Sequence, residues 1–91
     1  MTKETSRVED VRQMNVNDGE MRLSQIETRY CSRDFELIAA TFRDSRAQPE
    51  YPDFMIPVMY PTTWSAEQVR MDLYAWLATM KAQFRAQRWT L

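Results

Sequence analysis

Residues 24–48, SQIETRYCSRDFELIAATFRDSRAQ, decide the fold, because two helix-start patterns and an apolar stripe coincide within them. Ser24-Gln25-Ile26-Glu27 fits a capping box, in which a serine hydroxyl and a glutamate side chain satisfy each other's free amides. Ser32, with Asp34 just behind it, offers a second start. Phe35, Ile38, Ala39 and Phe42 follow at the i, i+3, i+4, i+7 spacing of one helix face. Ile26, Tyr30 and Leu37 form a second stripe on the far side. The spacing predicts helix over 25–47, either one helix buried on two sides or two helices bent near Cys31. It ends by Gln48, since Pro49 pushes the residue before it out of helical geometry.

Downstream, all four prolines fall at Pro49, Pro52, Pro57 and Pro61, around the apolar run Phe54-Met55-Ile56-Pro57-Val58-Met59-Tyr60. Proline at 57 rules out a regular helix and a central strand, which leaves an extended, polyproline-like or edge-strand segment. Ser65-Ala66-Glu67-Gln68 is a further capping box and opens a long amphipathic helix over 64–88. Val69, Leu73, Trp76, Leu77, Met80 and Phe84 fall within one arc of it. The opposite side carries Met71, Ala75, Ala78 and Ala82, with Trp89 on the same line. A helix apolar on two sides needs two burials.

Upstream, the single glycine stands in Asn17-Asp18-Gly19-Glu20. Asp-Gly is a favoured two-residue hairpin turn and would set Val16 opposite Met21 and Met14 opposite Leu23. Two readings stand here: a β-hairpin over 13–24, or a helix from Asp18 carrying Leu23, Ile26 and Tyr30. Residues 1–12 are polar except for Val8 and Val11 and are expected to form a flexible tail. The alternative there is a short docked helix opened by Ser6-Arg7-Val8-Glu9.

The expected fold is mainly α: a single small helical domain over 13–91, with a long C-terminal helix and the hairpin at 13–24 as an option. Twelve basic against thirteen acidic residues leave a net charge of −1, unlike a basic nucleic-acid coat or a polyanion mimic. The chain has no histidine and one cysteine, so the commonest metal ligand, the usual general base and any intrachain disulfide are missing. No glycine-rich phosphate loop and no Ser/His or Cys/His pairing is present, and no enzyme activity, metal or cofactor is expected. Cys31 reads as a buried, inert thiol. No window approaches the length of a membrane span, and the lone cysteine without a secretion signal points to the cytoplasm.

Function is expected at surfaces. The Met/aromatic run Phe54, Met55, Ile56, Val58, Met59 and Tyr60 and the helix seam Met71, Ala75, Ala78, Ala82 and Trp89 are the candidate protein-binding residues. The bland counterparts are a loop closing over the core for the first, and for the second alanines chosen for helix propensity or cover by the Ile26, Tyr30 and Leu37 stripe within one molecule. A basic flank of the same helix, Arg70, Lys81, Arg85 and Arg88 around Tyr74, is the alternative, a contact for nucleic-acid phosphate. Cations stabilised by the helix dipole explain that flank equally. The expectation is therefore a non-catalytic regulator, inhibitor or assembly factor, in a format suited to a phage or mobile element. Its partner would be another protein, including a second copy as a homodimer.

Overall fold

The computed structural model describes residues 6–45 and 53–89, the side chains of 84–89 excepted. Its elements run α1 (Arg7–Gln13), β1 (Met21–Cys31), β2 (Phe35–Asp44), β3 (Phe54–Pro61) and α2 (Ala66–Trp89). The strands form one antiparallel sheet in the order β1-β2-β3. The protein is thus an α/β domain rather than a mainly α one, and the helix expected over 25–47 is replaced by β1 and β2.

The reason lies in what the local signals do. Ser32 Oγ does accept from an amide three residues on, Phe35 N at 3.1 Å, but it closes a turn between two strands. The same short-range bond serves helix caps and turns alike. A 2.8 Å bond from Ser32 N to the Phe35 carbonyl completes that turn. Ser24 donates instead across the sheet, to the Thr41 carbonyl at 3.2 Å. Ile26, Thr28, Ile38 and Thr41 are β-branched and fit a pleated surface. Ile38 pairs with Thr28 and with Val58 across the central strand.

Where the local patterns meet no competing pairing, the helices form. Ser6 Oγ accepts from Glu9 N at 3.1 Å and caps α1. Residues 1–5 lie outside the described residues, but from Arg7 the expected tail is a helix whose Val8 and Val11 are buried. At α2 the box is reciprocal, with Gln68 N donating to Ser65 Oγ and Ser65 N to Gln68 Oε1. Between α1 and β1 the chain reverses at Gly19, whose φ of +94° only glycine adopts without strain. Asn17 sits opposite Arg22 there as an isolated bridge, so the hairpin does not span 13–24. α1 takes Gln13 from the hairpin's first arm, and the turn that remains, held by bonds from Leu23 N to the Val16 carbonyl and from Asp18 N to the Met21 carbonyl, has a register shifted from the expected Val16–Met21 pairing.

One cluster holds the domain together. Val8 and Val11 of α1, Ile26 of β1, Ile38, Ala40 and Phe42 of β2, and Val69, Leu73, Leu77 and Met80 of α2 all belong to it. Since both helices share that cluster with one set of alternate strand residues, both helices cover the same face of the sheet. The other face carries none of them.

A polar strut crosses the end of this core. Arg7 donates through Nε and Nη2 to Glu36 Oε1, at 3.1 and 2.5 Å, and through Nη1 to the Pro61 and Trp64 carbonyls. Thr28 Oγ1 donates to Glu36 Oε2 at 2.6 Å. A residue expected in a flexible tail therefore joins α1 to all three strands' end of the sheet. Tyr60 donates to Asp72 Oδ2 at 2.7 Å and so ties β3 to α2. Burial first, then that bond and the Asp72 charge, push the Tyr60 hydroxyl far above its ordinary range.

Candidate interaction surface

The strand period of two divides the Met/aromatic run. Phe54, Ile56 and Val58 point to the helix side and are half-buried, and Tyr60 is buried there. Met55 and Met59 point the other way and are 51% and 59% exposed. The run is therefore not one surface, and Phe54, Ile56, Val58 and Tyr60 serve the core. Pro57 lies between the two methionines on the bare side and is exposed as well.

The neighbouring strands extend that bare side. In register with Met59 stand Leu37 of β2 and Tyr30 of β1. Tyr30 is 65% exposed and Phe35, two residues before Leu37, is 47% exposed. Ala39, paired with Pro57, floors the middle of the face. Tyr30, Phe35, Leu37 and Ala39 were read from spacing as helix core, so the sequence reasoning missed their part in this surface. The available signal is that positions of both parities between Phe35 and Phe42 are apolar, Glu36 and Thr41 excepted, as in a strand with two apolar faces.

The edges of the sheet are less inviting than its face. Arg12 donates to the Ile26 carbonyl through Nε at 3.1 Å and Nη2 at 2.8 Å, which occupies an acceptor of β1. On β3, Pro57 and Pro61 carry no amide hydrogen. Proline and occupied acceptors blunt an edge against strand addition.

The seam on α2 is left bare by the described residues: Met71 is 60% exposed, and Ala75, Ala78 and Ala82 are exposed. Ile26, Tyr30 and Leu37 do not cover it, since they lie in the sheet. The Trp89 side chain lies outside the described residues, as do those of Arg85 and Arg88. Tyr74 is 46% exposed. The remaining basic residues of that flank have carboxylate partners. Arg70 Nη2 lies 2.5 Å from Glu67 Oε1, a bond that raises the arginine's affinity for its proton. Lys81 Nζ lies 2.8 Å from Asp18 Oδ2 and 3.6 Å from Glu20 Oε2.

That acidic turn is itself built to hold charge. Asp18 Oδ1 accepts from the Glu20 and Met21 amides at 2.9 and 2.8 Å. Burial pushes the Asp18 carboxyl up, but the bond from Lys81 and the two amides outweigh it and hold it at about 2. Cys31 is exposed, with Sγ 3.5 Å from the Ser32 carbonyl, and so is not the buried thiol its surroundings in sequence suggest.

Among the described residues no group of three His, Cys, Asp or Glu side chains could hold a metal ion, and no helix is long and apolar enough to cross a membrane. No protein-family model matches this chain, and no curated protein or solved structure matches it either.

Proposed function

We propose that this is a non-catalytic interaction protein, a small regulator, inhibitor or assembly factor, which docks on a further protein molecule, a second copy of the chain included, through the helix-free face of its sheet. One observation carries the reading. Tyr30, Phe35, Met55 and Met59, four large apolar side chains about half exposed or more, share the face that neither helix covers. Large apolar patches on a free domain are characteristic of interfaces, and methionine and aromatic side chains are enriched at their centres. On the same reading the protein works in the cytoplasm, where an exposed lone thiol such as Cys31 stays reduced.

The test is affinity capture from native cells with the wild-type chain and with Met59→Asp, each checked for an unchanged thermal midpoint. Partners lost with Met59→Asp support the reading. Partners retained by that variant, and by Tyr30→Asp, would remove the face from the mechanism.

A further inference from the structure

We infer that the occupant of this face is a second copy of the chain, packed sheet on sheet about a two-fold axis parallel to β2. The inference rests on the reading of the face as an interface and names what covers it.

The register supplies the argument. Tyr30, Leu37 and Met59 form one row across the sheet, and Glu27, Ala39 and Pro57 form the next. Beyond them come Gln25, Thr41 and Met55, then Arg22 with Arg43, whose guanidinium lies 2.9 Å from Asp53 Oδ1. The face is thus most apolar next to the Ser32–Asp34 turn, extends its apolar edge along β3 to Met55, and is most charged at the Arg22–Arg43 end. A two-fold axis running along the strands exchanges β1 with β3 and keeps each row over its own kind. Tyr30 then covers Met59 of the second copy, and the symmetric contact repeats the pair. Leu37 and Ala39 lie near the axis. At the charged end Arg22, on β1, comes over Asp53 of the second copy, beside β3, so that opposite charges meet, while Arg43 near the axis faces its own equivalent and keeps its charge balanced by Asp53 of its own chain. An axis running across the middle of the strands would instead lay the Tyr30 row on the charged Arg22–Arg43 row.

Size agrees with a modest self-association. Three strands at about 4.8 Å spacing, each roughly 30 Å long, present a face of about 400 Å² in projection and roughly 600 Å² of accessible surface. Two copies would bury about 1,200 Å², the lower limit of specific interfaces, where dissociation constants on the order of micromolar are expected. Aligned sheets pack about 10 Å apart with interdigitated side chains, which the small Ala39 at the centre permits.

Sedimentation equilibrium of the full chain from about 5 to 500 µM brackets such a constant. The expected result is a monomer that becomes a dimer across this range. Met59→Lys and Tyr30→Lys should each weaken the dimer at least about tenfold, or about 1.4 kcal/mol. Met71→Lys, on the bare side of α2, should leave it unchanged, and circular dichroism reports whether each variant is folded. A wild-type chain that stays monomeric throughout would overturn the second copy as occupant. So would a dimer broken by Met71→Lys but indifferent to Met59→Lys and Tyr30→Lys. A monomer whose captured partners vanish with Met59→Asp means that a foreign protein occupies the face. A monomer whose captured partners survive that change would defeat the docking face itself.

Discussion

Arg7→Ala should destabilise the domain out of proportion to its place near the N-terminus. The substitution removes four hydrogen bonds: two to Glu36 Oε1, one to the Pro61 carbonyl at 2.6 Å and one to the Trp64 carbonyl at 3.0 Å. Glu36 would keep only the Thr28 hydroxyl, while remaining a charge at 8% exposure. Taking one partner from a fully buried ion pair costs about 3–5 kcal/mol. The Arg7 and Glu36 side chains are 13% and 11% exposed, so water recovers part of that loss. A value of about 2–3 kcal/mol follows once that partial solvation is counted. In a domain of this size each kcal/mol moves the midpoint by about 4–8 °C, which predicts a fall of roughly 10–20 °C.

Thermal melting followed by far-UV circular dichroism, with urea titration at 25 °C as a second measure, reads this directly. Two further variants separate charge from packing. Arg7→Met keeps the aliphatic stem but strands Glu36, and should cost nearly as much as alanine. Arg7→Met with Glu36→Leu removes both charges and should recover most of the loss, because an apolar pair of similar volume replaces a buried ion pair without penalty. A fall of less than about 4 °C for Arg7→Ala would refute the strut, since it corresponds to under about 1 kcal/mol.

Stability should also depend on pH through Asp18. Its folded pKa is lowered, so its contribution is fully present above the ordinary value of 3.8 and is lost as pH falls toward 2. Urea midpoints should therefore drop more steeply over that interval for wild type than for Asp18→Asn; equal slopes would exclude the Lys81 contact as the cause. Gly19→Ala meets nothing within 4 Å of the added carbon, so its penalty is backbone strain at φ +94° alone, about 1–2 kcal/mol in the denaturation free energy. Ile56→Asp should cost about 2–4 kcal/mol because it puts a charge against the core, while Met59→Asp on the same strand should stay within about 0.5 kcal/mol. Similar thermal midpoints for the two would contradict the division of β3 between faces.

The sequence was most informative where a local signal and the tertiary outcome agree. The Ser65–Gln68 box opens α2, and Val69, Leu73, Leu77 and Met80 are buried at the predicted period. It misled between residues 24 and 45, where Phe35, Ile38, Ala39 and Phe42 satisfy a helical period that the structure does not use. In β2 the helix-facing set is Glu36, Ile38, Ala40 and Phe42, and the outward set is Phe35, Leu37, Ala39 and Thr41. A segment apolar on both parities contains a helical stripe by construction, so periodicity cannot separate the two forms. The register shifts between Leu23 and Gln25 and between Thr28 and Tyr30 hide the alternation in β1 as well. The proline argument at residue 57 did point to an edge strand, one of the options it left open, but it gave no means of telling which methionines would face the core.

The two ends of the sheet's bare face provide an internal control on its meaning. Strand formation does not demand apolar side chains there, since the same strands carry Arg22, Gln25, Thr41 and Arg43 at outward positions toward one end. Those residues pair, twist and pack their opposite faces on the helices as well as Tyr30, Leu37 and Met59 do at the other end. The inner cluster is complete without any contribution from the outward apolar rows. The outward rows do shield Ala39 and part of Leu37, but the area that Tyr30, Met55 and Met59 leave exposed raises the tendency to associate. The weight of that area toward the Ser32–Asp34 turn and the β3 edge, with charge at the Arg22–Arg43 end, suits binding in one orientation: apolar side chains would give affinity and the charged end would set alignment. Domain stability accounts for the placement of Val69 or Phe42, whereas the proposed docking contact is what would account for the placement of Tyr30 and Met59.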